Sequence, residues 1–114
     1  MNLLLSILVT ATVYNAVPSQ TDSTPHITAT GFVINVENPI EHRIIAVSRD
    51  LEQKGFTMGT AVCVENAGKM NGVWTVRDRM NKRWRNKIDF LVNEETTLGK
   101  WDDVIIRKTT QISN

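Results

Sequence analysis

A single cysteine, Cys63, stands in a chain of 114 residues. It excludes an internal disulfide, and alone it cannot build a thiolate cage for a metal. Excess charge is missing as well. Lys and Arg number 13 against 12 Asp and Glu, a net charge of +1, so no global field draws the chain to nucleic acid or to a membrane surface. There is no glycine-rich phosphate loop and no nucleophile elbow, which removes the usual sequence marks of nucleotide binding and of serine hydrolysis. His26 and His42 are isolated, without the spacing of a metal-binding pair. No cofactor or metal is expected.

Long apolar runs are absent too. The opening residues Met1-Asn2-Leu3-Leu4-Leu5-Ser6-Ile7-Leu8 resemble the apolar heart of a secretion signal. They lack a basic leader and are too short to span a bilayer. Residues 1–8 read either as a degenerate or clipped export signal or as a first strand that begins early. Residues 9–114 are expected to form one domain, long enough to bury a core.

What the chain does contain is a series of short strand signals. Val9 to Tyr14 is β-branched and aromatic. Asn15 to Pro25 reads as a long loop, and Ile27 to Val36 as a second extended segment with Gly31 as a bulge or close-approach point. Asn38-Pro39 marks a turn before the apolar strand Arg43 to Val47. Ser48 to Lys54 is the best helix candidate, capped by Ser48 and ended by Gly55. Further strands are expected at Thr60–Glu65, Gly72–Arg77, Ile88–Val92 and Val104–Ile106, with a turn around Asn66–Gly72 and one helical turn within Asn93–Thr97. Cys63, inside Ala61-Val62-Cys63-Val64, is expected to be a small core residue. About seven strands with hardly any helix argue for a small barrel or sandwich.

The residues that carry chemistry cluster between Val76 and Phe90. Asp89 lies in an apolar strand, where desolvation disfavours the anion. Alternation turns Asp89 and Leu91 to one face and Ile88, Phe90 and Val92 to the other. Such a carboxyl suits the proton donor that a glycosidic oxygen needs when its bond breaks. Asp78, flanked by Arg77 and Arg79, is expected to stay ionised and to orient or stabilise charge. The plainer alternative is that both aspartates neutralise the basic loop. Trp84, among Lys82, Arg83 and Arg85, has the equipment to stack on sugars or on nucleobases, or else to fold back on the barrel. Trp74 and Trp101 read as core or rim residues.

Several blocks taken in order resemble the 3D (three-aspartate) domain, a double-psi β-barrel related to membrane-bound lytic transglycosylase A, rare lipoprotein A, expansins and one group of endoglucanases. They are Thr10-Ala11-Thr12-Val13-Tyr14, Ile27-Thr28-Ala29-Thr30-Gly31, Ile44-Ile45-Ala46-Val47, Met58-Gly59-Thr60-x-Val62, Val76-x-Asp78, Arg85-Asn86-Lys87-Ile88-Asp89-Phe90 and Leu98-Gly99-Lys100. The resemblance implies an all-β, six- to seven-stranded double-psi β-barrel with one or two short helices. It also implies a peptidoglycan-active, glycan-cleaving function, with Asp89 as general acid and base and Asp78 as its partner. Trp84, Arg85, Arg79, Lys87, Thr12, Tyr14 and Thr30 would hold the substrate. A monomer in the cell envelope or secreted, or a phage-encoded protein delivered to the envelope, is expected, with no stable membrane span. Where the family places its first aspartate this chain has Ser48, with Asp50 two residues on, and Arg79 to Trp84 replace the family's glycine-rich stretch. These departures bear on catalysis rather than on fold. The alternative is a non-catalytic, expansin-like wall-binding barrel. A nucleic-acid binder is a third reading, weakened by the near-neutral charge.

Overall fold

Val9, Ala11 and Val13 alternate with Thr10, Thr12 and Tyr14, and this period of two makes a strand with one apolar and one polar face. In the computed structural model, which describes residues 6–15, 27–28, 31–35, 37–93, 96 and 99–109, it is β1 (Ser6–Tyr14). Ser6, Ile7 and Leu8 therefore belong to the strand, paired with the last strand of the chain. The others are β2 (Ile44–Val47), β3 (Ala61–Glu65), β4 (Gly72–Arg79), β5 (Lys87–Leu91) and β6 (Lys100–Lys108). One short helix, α1 (Arg49–Gln53), follows β2 from an N-cap at Ser48. Two 3-10 turns, Pro39–His42 and Gly68–Met70, complete the regular structure among the described residues.

The six strands close into a barrel in the order β1-β5-β2-β4-β3-β6. Two neighbouring pairs, β1 with β5 and β2 with β4, are parallel, and the other four are antiparallel. Exchanging β1 with β4, β2 with β5 and β3 with β6 carries every pairing onto itself or onto another of the same sense. The connectivity thus has an internal two-fold, which is the double-psi arrangement. The backbone repeats it in detail. Arg43 before β2 and Asn86 before β5 both take the left-handed conformation, with φ of 51° and 53°. Each carbonyl accepts a hydrogen bond from the parallel neighbour, Arg43 from the Thr75 N–H at 2.8 Å and Asn86 from the Thr10 N–H at 3.2 Å.

The barrel interior is filled by the inward sets of each strand, among them Val9 and Ala11, Ile45 and Val47, Val62 and Val64, Trp74 and Val76, Ile88 and Phe90, Val104 and Ile106. Aromatic rings anchor it. Trp74 lies 4.7 Å from Phe90, and Trp101 meets Phe90 edge-on at 5.6 Å. The buried Trp74 indole N–H donates to the Met70 carbonyl at 2.7 Å, as a buried donor must. The Arg43 guanidinium covers its ring at 4.0 Å.

Two local expectations change. Cys63 is half-buried on the outer face of β3, because Val62 and Val64 take the inward positions. Within the expected extended segment Ile27 to Val36, the described residues 27–28 and 31–35 join no barrel strand. Gly31, with φ +83°, reverses the chain, and the Ile27–Val33 bridge makes a small hairpin held by the Thr28 N–H to the Phe32 carbonyl. The barrel itself closes with six strands, within the six to seven expected.

Candidate functional site

β5 begins the site. Ile88, Phe90 and the following Val92 are packed in the barrel core, so Asp89 and Leu91 face outward as alternation expects. Across the parallel pair Asp89 faces Thr12, and across the antiparallel pair it faces Ala46. Ala46 in turn neighbours Asp78 on β4. Asp78, Ala46, Asp89 and Thr12 thus form one row over four strands. The internal two-fold of the connectivity passes between Ala46 and Asp89, and makes Thr12 the counterpart of Asp78.

Asp78 reaches this row through a bulge. Unbroken alternation from the buried Trp74 and Val76 would send Asp78 into the core. Instead the register shifts between Ile45 and Ala46, leaving Arg77 as the extra residue of β4. The bulge re-aims the carboxylate onto the outer face. Its Oδ1 also accepts the Arg79 N–H at 3.0 Å.

On one side the row is flanked by apolar groups. Ile44, Leu91 and Ile34 form a second, smaller core, against which Tyr14 and Phe32 pack. Tyr14 is laid across this cluster, and its buried hydroxyl faces Asp78 without meeting it in a well-formed hydrogen bond. Burial first, then the charges of Asp78 and Asp89, then the contact with the Asp78 carboxylate push the phenol's pKa well above its ordinary value. It stays protonated. Arg77 lies 4.9 Å over Phe32.

On the other side the row is flanked by cations. Lys87 faces Thr10 across the β1–β5 pair. Its ammonium sits 3.8 Å over the Trp84 ring, and the Arg83 guanidinium lies 4.9 Å from the same ring. Trp84 remains 38% exposed.

Asp89 is the perturbed acid of this strip. Burial raises its pKa above the ordinary carboxyl value, against the opposing pull of the Thr12 hydroxyl, which donates to Oδ1, and of the Lys87 charge. Among the described residues the ion pairs within 4 Å are Glu52 with Arg79 and Glu65 with Arg107. Asp89 belongs to neither.

The remaining sequence candidates fall elsewhere. Arg79 is held by Glu52 through two contacts, Nη2 to Oε2 at 2.7 Å and Nε to Oε1 at 3.0 Å. Arg85 is exposed and acts on Asp50. Thr30 and His26 lie outside the described residues. Ser48 is 0% exposed. Its Oγ accepts the Lys87 N–H at 3.0 Å and its N–H donates to the Lys87 carbonyl at 2.9 Å. Asp50 accepts the Asn86 N–H at 3.0 and 3.1 Å. Burial pulls its pKa up, but hydrogen bonds from Ser48 and Asn86 and the Arg85 charge outweigh that and hold it below the ordinary value. Both residues therefore brace the entry to β5 rather than line the strip. Sequence reasoning missed Ala46 as the small residue between the two aspartates. The Ile-Ala-Val block was its only signal.

No group of three or more metal-ligating side chains occurs among the described residues. Nor is any described helix long and apolar enough to cross a membrane. Comparison with protein-family models, with curated proteins and with solved structures gave no match. The fold and site define a closed, six-stranded, double-psi β-barrel with an outward carboxylate strip.

Proposed function

We propose that this barrel cleaves the glycan of peptidoglycan, with Asp89 as general acid and then base. The observation that carries this reading is the state of Asp89. It is a half-buried outward carboxyl whose pKa is raised by desolvation, with a second carboxylate in its row and a protonated phenol beside it. A raised carboxyl pKa is what proton delivery near neutral pH requires.

The chemistry needs one such acid. Asp89 gives its proton to the glycosidic oxygen as the bond from the anomeric carbon breaks. A hydroxyl of the same muramyl ring attacks that carbon, and its proton returns to the Asp89 carboxylate. No water is consumed, and the product is an anhydro sugar. An intramolecular nucleophile is worth roughly 7–11 kcal/mol when ideally placed. Thr12 and Tyr14 orient Asp89 and close the strip, and Asp78 stabilises positive charge at the reacting carbon. This reading places the protein in the envelope or outside the cell.

The decisive experiment is digestion of purified peptidoglycan by wild type and by Asp89→Asn, read by mass spectrometry. Anhydromuramyl products from wild type and none from the variant support the reading. Their absence from both overturns it.

A second reading has an observation of its own. Ser48 replaces an acidic residue and is consumed by backbone hydrogen bonds, which favours a barrel that grips wall glycan without cutting it. Saturable binding to sacculi with no soluble product would select it.

A further inference from the structure

The cations on the far side of Asp89 are gathered without a close carboxylate among the described residues. Lys82, Arg83 and Lys87 lie in or beside the β4–β5 loop, and among the described residues none is within 4 Å of a carboxylate. Two of them share a single indole, Lys87 at 3.8 Å and Arg83 at 4.9 Å from the Trp84 ring. Cation–π contacts favour such a geometry, but one ring holding two like charges concentrates positive potential instead of dispersing it. A ring used by two cations is also a poor platform for stacking a sugar. Trp84 instead acts as a post that holds two cations at one edge of the carboxylate strip.

We propose that Trp84, Arg83 and Lys87 form an anion clamp that recognises a carboxylate on the glycan, next to the bond that Asp89 addresses. This rests on the glycan reading above and adds the substrate's charge class to it. Lys87 is two residues from Asp89 on the same face of β5, so a sugar seated at Asp89 brings its substituents within reach of the clamp. Other cations near the strip are engaged elsewhere: Arg77 lies over Phe32 on the apolar flank. Arg79 is occupied by Glu52 and Arg85 faces Asp50. The apolar flank of Tyr14, Phe32 and Ile34 suits the opposite, uncharged side of the chain.

The test compares two tetrasaccharides by calorimetry and by NMR shifts of the Trp84 indole: a muramic-acid-containing chain with free lactyl carboxylates, and neutral chitotetraose. The wild type is expected to favour the acidic chain by about tenfold, equivalent to about 1.4 kcal/mol. Raised salt and the double variant Arg83→Gln/Lys87→Gln should both abolish that preference, so that the two chains bind alike. Lys87→Arg, which keeps the charge, should retain it. Equal binding of the two chains to wild type overturns the clamp and leaves the glycan reading standing. So does a preference that survives the double variant. If neither chain binds, both readings fall. A single-stranded oligonucleotide that displaces the acidic chain at lower concentration overturns the clamp in favour of nucleic acid.

Discussion

Thr12 and Asp89 face each other across the parallel β1–β5 pair, and the threonine hydroxyl donates to the carboxylate. Parallel pairing of strands 77 residues apart in the chain is what brings them together. The contact opposes desolvation, so the carboxyl is raised in pKa but not stranded. Thr12→Val should push the Asp89 titration further up, as followed by NMR of the carboxyl carbon. At pH above the Asp89 titration, where the carboxylate is charged, the variant should lose about 1.5–3 kcal/mol, the range for a hydrogen bond to a charged group. An unmoved titration would show that Thr12 does not tune the acid.

Asp89 also sets a pH-dependent stability. A carboxyl whose folded pKa lies above its unfolded value burdens the folded state at neutral pH, and the burden disappears once pH falls below the unfolded value. Asp89→Asn should therefore melt higher than wild type at pH 7, and the two melting temperatures should converge in acid. A variant less stable than wild type at pH 7 would contradict the desolvation account.

Lys87 pulls the other way. Its charge lowers the Asp89 pKa, so Lys87→Met, which keeps a long apolar stem against Trp84, should raise it. Lys87→Arg should restore the wild-type titration. The comparison separates charge from packing, since both variants fill the space over the indole.

The Arg79–Glu52 contact holds α1 to the end of β4. The hydrogen bonds from Arg79, followed by its charge, lower the Glu52 pKa against burial. A depressed carboxyl contributes stability above its unfolded pKa and loses it as pH falls through the folded value. The pair is solvent-exposed, so Glu52→Gln should cost about 0.5–1 kcal/mol at neutral pH. Urea unfolding should show that difference vanish in acid. A constant difference across pH would mean that the charge contributes nothing.

Trp74 ties the interior together. Trp74→Ala should cost about 3–5 kcal/mol in urea unfolding, as for other large buried aromatics. Trp74→Phe should cost less but leave the Met70 carbonyl unpaired, about 1–3 kcal/mol. If Trp74→Phe matched wild type, the indole N–H bond would be energetically silent.

Much of this architecture is legible in the residues themselves. The apolar alternation of Val9-Ala11-Val13 and of Ile88-Phe90-Val92 places two inward faces and turns Asp89 outward without any long-range information. Ser48 and Gly55 bracket the helix. Other features are not local. Period two puts Asp78 inside the barrel, and only the bulge at Arg77 against Ile45 and Ala46 turns it out. Ile27 to Val36 has strand composition, but every barrel neighbour is already taken by another strand, so Ile27 pairs with Val33 instead.

By itself, then, the order of side chains determined the strand character of all six barrel segments, which faces are apolar and that one aspartate sits among desolvating neighbours. These depend on residues two to four positions apart. The tertiary structure alone decided that Asp78, Ala46, Asp89 and Thr12 share a row, that Tyr14 reaches the same strip and that Trp84 holds Lys87. Those relations depend on register between strands far apart in sequence, and register is set only when the barrel closes and all six inward faces must fit one core.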